Sequence, residues 1–131
     1  MFSAPQINIY SDDIERSLEF YRDLGFEETF RTPPDGTPVH VELMLDGFKL
    51  GIADAKSVVA THGLDVDLSR PGRGIEIALW TDDVDTAFAR LVASGAPPLS
   101  APHDWLHLRG AWVADPHRNP IQLVQRRAVA E

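Results

Sequence analysis

The side chains able to do chemistry in this chain fall into three groups. His40, Glu42 and Met44 alternate on one face of the run Val39 to Leu45, which sets an imidazole and a carboxylate two residues apart on a strand. Glu76 shares a second alternating run with Trp80. Apolar surroundings would raise its pKa and make it a general base, whereas an ion pair with Arg109 would make it structural. Trp105, Arg109 and Trp112 form the third group, and rings with a guanidinium suit stacking against a flat or extended organic molecule. Within it, Trp112 reads as core packing and Trp105, in a turn-rich segment, as a ligand wall. His62, His103, His107 and His117 lie in or beside turns and linkers, without the spacing of a local metal motif. A displaced metal set of His40, Glu42 and Glu76 competes with the plainer reading of a hydrogen-bonded strand face. No Ser sits in a G-x-S-x-G turn, and the absence of Cys excludes thiolate nucleophiles, thiolate metal sites and disulfides.

The charge balance narrows the partners. With 12 Lys and Arg against 20 Asp and Glu, the formal net charge of −8 repels nucleic acid and anionic lipid surfaces. No apolar stretch approaches the roughly 20 residues of a membrane span, and the N-terminus shows no basic region followed by an apolar run. The expectation is a cytoplasmic protein with a small-molecule partner, no nucleic acid and no membrane. A length of 131 residues suits one domain with a core of its own.

The elements that must position these groups are written twice. QINIYSDDIERSLEFYRDLG, from Gln6 to Gly25, lies over EIALWTDDVDTAFARLVASG, from Glu76 to Gly95, without a gap. Ile7/Ile77, Ile9/Leu79, Asp12/Asp82, Asp13/Asp83, Ile14/Val84, Leu18/Phe88, Tyr21/Leu91 and Gly25/Gly95 match in chemistry, too long a correspondence for chance. In the first copy, residues 5–10 alternate as a strand. Ser11, Asp12 and Asp13 open a helix, Asp12 with Glu15 forming a capping-box pattern, and the helix runs to about Leu24 and stops at Gly25. Its stripe is Ile14, Leu18 and Tyr21, with the small Ser17 between.

Further strands are expected from Phe26 to Arg31, Val39 to Leu45 and Phe48 to Ala53, the last two joined by an Asp46-Gly47 hairpin turn. The single domain then divides into module one at 5–53, a linker at 54–72 with a short helical turn at Ala55 to Ala60, and module two at 73–125. Module two repeats the order: a helix from Asp82 to Ser94, a weak edge strand at Ala96 to Leu99, a strand at 108–114, a hairpin loop at Asp115 to Asn119 and a last strand at Ile121 to Gln125. The tail from Arg126 on is expected to fray.

The fold class is therefore α+β, two paired β-α-β-β-β modules forming a curved, cup-like mixed sheet with the helices outside. Each helix covers one sheet face, toward which Ile7, Ile9, Ile75, Ile77 and Leu79 point. The other face carries Gln6, Asn8, Tyr10, Glu76 and Trp80, too polar for a core and too aromatic for plain surface. It is either a ligand-lined cup or a sheet face left in water.

The paired modules, the helix start Ser11-Asp12-Asp13-Ile14-Glu15-Arg16-Ser17-Leu18-Glu19-Phe20-Tyr21 and the run Asp115-Pro116-His117-Arg118-Asn119-Pro120-Ile121-Gln122-Leu123 resemble the vicinal oxygen chelate superfamily. That superfamily includes glyoxalase I, extradiol dioxygenases, fosfomycin-modifying enzymes and the bleomycin-resistance proteins. The resemblance implies a metal site in the cup, with positions falling here on Gln6, Leu50, Glu76 and Gln122, and a homodimer. Catalytic divalent sites want about three imidazole or carboxylate ligands. This set offers one carboxylate, two amide oxygens and a Leu, so the metal site reads as dismantled and no cofactor is expected. Trp105 to Pro116 also resembles the family's W-x-x-R stretch, with one extra residue between Trp105 and Arg109.

Two readings follow. The first is a metal-independent small-molecule binding protein like the bleomycin-resistance (antibiotic-resistance) group. It would sequester an organic ligand against Gln6, Asn8, Tyr10, His40, Glu42, Trp80, Trp105, Arg109 and Gln122, with Glu76 the one catalytic candidate. The second is a glyoxalase I-like lyase or isomerase, or a dioxygenase, with one divalent metal ion.

Overall fold

The computed structural model of the chain describes residue 1, residues 3–70 and residues 74–128. Pro71, Gly72 and the expected module start at Arg73 lie outside them, as does the end of the tail. The chain forms two compact units, Met1–Ser69 and Arg70–Glu131.

Unit one consists of β1 (Ile7–Ser11), α1 (Ile14–Asp23), β2 (Glu27–Thr32), β3 (His40–Leu45), β4 (Phe48–Asp54) and α2 (Ala55–His62). Its sheet has the order β1-β4-β3-β2, with β1 parallel to β4 and the other pairs antiparallel. A parallel β1 and β4 leave α1 to lie across one face. Ile14, Ser17, Leu18 and Tyr21 are its buried residues, and Ile9, Val41, Leu43, Leu50 and Ile52 are the buried apolar side chains of the strands. Each such large side chain contributes roughly 1.5–3 kcal/mol on burial. The helix starts one residue later than the capping-box pattern suggests. Asp13, not Asp12, is the N-cap, its carboxylate accepting from the Arg16 N–H at 3.3 Å. Gly25, at φ 110°, turns the chain out of the helix. Asp46 and Gly47, at φ 48° and 83°, make the expected tight hairpin turn. The linker's helical turn is longer than its composition indicates, because Asp54 caps α2 through Ser57 and Gly63 closes it in the left-handed conformation.

Unit two repeats the plan with β5 (Ile77–Trp80), α3 (Val84–Ala93), β6 (Pro98–Trp105), β7 (Leu108–Ala114) and β8 (Pro120–Arg126), in the order β5-β8-β7-β6. Asp83 caps α3 by accepting from the Thr86 N–H, and Gln125 reaches over from β8 so that its Oε1 accepts the Val84 N–H at 2.6 Å. Three expectations are corrected here. β5 is shorter than the alternation suggests, so Ile75 and Glu76 precede it and both are exposed. β6 runs to Trp105 rather than ending at Leu99: despite its prolines it pairs with β7, with two register shifts along the way. The tail is held past Arg126, since the Arg127 N–H bonds the His107 carbonyl at 2.8 Å and its guanidinium bonds the Leu106 carbonyl at 2.8 Å.

On the helix side of each sheet an acid in the helix's first turn meets an arginine from a strand. In unit one, Glu15 pairs with Arg31 of β2 at 3.8 Å, and Arg31 also binds Glu28, which Arg22 of α1 contacts at 2.6 Å. In unit two, Arg109 of β7 binds both oxygens of Asp85 at 2.8 Å and Asp104 of β6 at 2.9 Å. Among the described residues no helix is long and apolar enough to cross a membrane.

Candidate functional site

Strand register decides which side chains share a face. In unit one, Tyr10, Ala53, His40 and Thr32 align across the four strands, and Asn8, Gly51, Glu42 and Phe30 form the next row on that face. In unit two the matching rows are Trp80, Val124, Gly110, His103 and Ala78, Gln122, Trp112, Ser100. These rows lie opposite the helix, since the residues between them, such as Ile9, Ile52 and Val41, or Leu123 and Ala111, are buried in the core. The duplication has thus placed His40 where unit two has Gly110, and Glu42 where unit two has Trp112.

Unit one's face is a polar network centred on Glu42. The carboxylate receives the Gln6 amide at 3.5 Å, His40 Nε2 at 3.4 Å and Lys49 Nζ at 3.5 Å. Gln6 also donates to Asn8 Oδ1 at 2.8 Å. Partial burial pushes the Glu42 carboxyl up, but the His40 hydrogen bond, the Lys49 charge and the Gln6 amide together outweigh it and hold the group below its ordinary range. Gly51 makes the network possible, because a Cβ there would collide with Asn8 Oδ1 and come within 3.1 Å of the His40 ring. Gln6, Asn8, His40 and Glu42 are therefore brought together, and Tyr10 stands in the adjacent row.

Unit two's face is aromatic. The His103, Trp105 and Trp112 rings lie with centroids 5.6–5.8 Å apart and interplanar angles of 22–38°. Trp105 folds across Gly110, whose missing Cβ would sit 2.6 Å from Cη2 of the indole. His103 Nδ1 lies 2.8 Å from the Ala101 carbonyl, to which it donates. Trp112 joins this face, half-buried, rather than packing in the core as expected. His103 was not among the expected site residues. The signal that could have found it is its spacing of two from Trp105 on a strand, hidden by the prolines at 97, 98 and 102.

Arg109 departs from its expected place. One residue out of phase with Gly110 and Trp112, it points to the helix side, where two aspartates hold it and its pKa is raised mainly by the Asp85 hydrogen bonds. It therefore does not stack with the tryptophans of the other face, nor pair with Glu76. Glu76 is exposed ahead of β5. Trp80 is 58% exposed, with the Arg126 guanidinium 4.6 Å above its ring. Gln122 stands between Ala78 and Trp112.

The metal positions implied by the resemblance do not fit a divalent ion. Leu50 lies on the helix side, fully buried, and the residue facing the other way beside it is Gly51, which has no side chain to offer. Gln6 donates from its Nε2 to Asn8 and Glu42 and has only a neutral, weakly ligating amide oxygen to offer, and Lys49 already supplies the cation that Glu42 meets. Among the described residues no three His, Cys, Asp or Glu side chains are grouped to hold a metal.

Residues 3–123 match the model of the Glyoxalase/Bleomycin resistance protein/Dioxygenase superfamily, so the chain belongs to that superfamily. An uncharacterized protein of Mycolicibacterium smegmatis is 29% identical over 105 residues, 80% of this chain and 78% of its own length. A glyoxalase/bleomycin resistance protein/dioxygenase from Nocardioides superposes with a TM-score of 0.76 at 24% identity, covering 100% of this chain and 89% of that one. Lactoylglutathione lyase from Agrobacterium tumefaciens does so with a TM-score of 0.68 at 22% identity, covering 95% of each chain. At these identities the two structures attest the shared fold and leave the chemistry to the site residues.

Proposed function

We propose that this protein binds a small organic molecule without a metal, sequestering it on a helix-free sheet face as a bleomycin-resistance-type member of the superfamily. The observation that carries this reading is the aromatic face of unit two. Three clustered rings, with the Trp105 indole over Gly110, give a half-exposed aromatic surface of the kind that stacks against a conjugated ligand. Unit one's own face is polar instead, with Tyr10, Asn8, His40 and Glu42 as its hydrogen-bonding groups. With Glu42 already facing Lys49, that face suits a hydrogen-bonding ligand. Glu76 and Gln122 contribute polar atoms only. On this reading the protein acts as a cytoplasmic homodimer, which light scattering on the purified protein checks.

Elemental analysis of tag-free protein tests the proposal. Substoichiometric traces of metal, with tryptophan fluorescence that responds to members of a conjugated small-molecule library, are the expected result. Near-stoichiometric nickel, zinc, iron or manganese, lost on Glu76→Ala, refutes it in favour of a metal-dependent lyase, isomerase or dioxygenase.

A further inference from the structure

Unit two holds a groove of about 470 Å³, lined by Trp80, Thr81, Asp82, Gln125 and Arg126, at the C-terminal ends of β5 and β8. That volume lies within the range of small-molecule sites, roughly 300–1,000 Å³. Two of its polar side chains are already committed. Gln125 Oε1 accepts the Val84 N–H, and Thr81 Oγ1 accepts the Asp83 N–H at 3.3 Å. Three further groups have no such bond among the described residues and would face a ligand: the Trp80 ring, the Arg126 guanidinium resting on it, and the Asp82 carboxylate.

Arg126 and Asp82 carry opposite charges in one groove, yet among the described residues neither forms an ion pair with the other or with any third side chain. The stacked Arg126 keeps the in-plane N–H edge that binds a carboxylate in bidentate fashion. Asp82 accepts an ammonium. A bare anion approaches against the chain's net charge of −8, whereas a zwitterion meets no such long-range penalty. We infer that this groove binds an amino-acid-like zwitterion, its carboxylate on Arg126, its ammonium on Asp82, and an aromatic or other apolar side chain against Trp80. The inference does not rest on the aromatic face, because Trp105 and Trp112 do not line the groove.

The three indole N–H signals of the 15N-labelled protein separate the two sites, with the Trp80 signal assigned by its loss in Trp80→Phe. The expected result is that L-phenylalanine moves the Trp80 indole and Arg126 side-chain signals and leaves those of Trp105 and Trp112 in place. Phenethylamine and 3-phenylpropanoate, each keeping one of the two charges, then bind about tenfold or more weakly, as does L-phenylalanine to Asp82→Asn and Arg126→Gln. The backbone spectrum of each variant reports whether it is folded. A Trp80 signal unmoved by L-phenylalanine, a singly charged analogue bound as tightly, or folded variants that bind like the parent each overturn the proposal.

Discussion

Gly110→Ala tests the aromatic face through stability. Gly110 does not have a left-handed φ, so its backbone accepts alanine, and removing a glycine from a permissive site ordinarily stabilises by about 0.4–1 kcal/mol. The neighbours reverse that sign. The new Cβ would meet Trp105 Cη2 at 2.6 Å and Cζ3 at 2.7 Å, with the Leu123 carbonyl oxygen at 3.1 Å behind it. That carbonyl belongs to the β7–β8 ladder and holds its place, so the indole must swing off the strand. Trp105 then loses its contacts with His103 and Trp112, now at centroid distances of 5.6 and 5.7 Å. At about 0.5–1.5 kcal/mol for each aromatic pair, the loss exceeds the backbone gain and leaves the variant about 1 kcal/mol less stable. Urea unfolding measures the difference, and near-ultraviolet circular dichroism should show the coupled indole signal weaken. In a Trp105→Ala background the cost should shrink to what the 3.1 Å contact with the Leu123 carbonyl leaves. A Gly110→Ala protein at least as stable as the parent, or a cost undiminished without Trp105, refutes the reasoning.

The remaining predictions concern the scaffold. Arg31 hydrogen bonds, against the opposing effect of burial and with help from Arg22, pull the Glu28 carboxyl down to about 2. Its stabilising contribution is therefore full above the ordinary carboxylate range and is lost as pH falls toward 2. After solvent screening this amounts to about 1 kcal/mol, and Glu28→Gln should flatten that window in acid unfolding curves. Gln125→Ala leaves the Val84 N–H without its acceptor and should cost about 1 kcal/mol in urea, with loss of protection at the start of α3 in hydrogen exchange. Gly51→Ala should expel the Asn8 side chain from the sheet and destabilise by about 1–3 kcal/mol, with a change in the Gln6 and Asn8 side-chain amide signals.

The repeat made most of the fold legible, because a helix start, an apolar stripe and a stopping glycine are local and were all written twice. Asp13 and Asp83 cap at the same step, and Leu18 and Tyr21 are buried as their spacing demands. What local pattern missed depends on pairing. Prolines hid β6, yet an edge strand tolerates them where no ladder hydrogen bond is needed, so His103 and Trp105 came to share a face with Trp112. For the site, alternation correctly set His40 and Glu42 on one face, but Arg109 is a matter of parity. The residue beside a glycine that faces one way must face the other, and only the register of β7 with β8 tells which. The glycines at 51 and 110 were silent in the sequence, since what matters is the side chain that occupies the space each leaves.

The helix acids and their arginines bear on how the two halves came apart. Glu15 and Asp85 hold the same place in the repeat, but Arg31 comes from β2 and Arg109 from β7, and the strand register puts Val39 of unit one where Arg109 stands. A duplicated ancestor began with one solution in both copies, so at least one half has since changed the strand that supplies its cation. The halves are no longer interchangeable parts. A hybrid joining the helix of unit two to the last hairpin of unit one would set Asp85 opposite Val39, and a symmetric redesign of this chain must transplant the acid and its arginine as a single inherited unit.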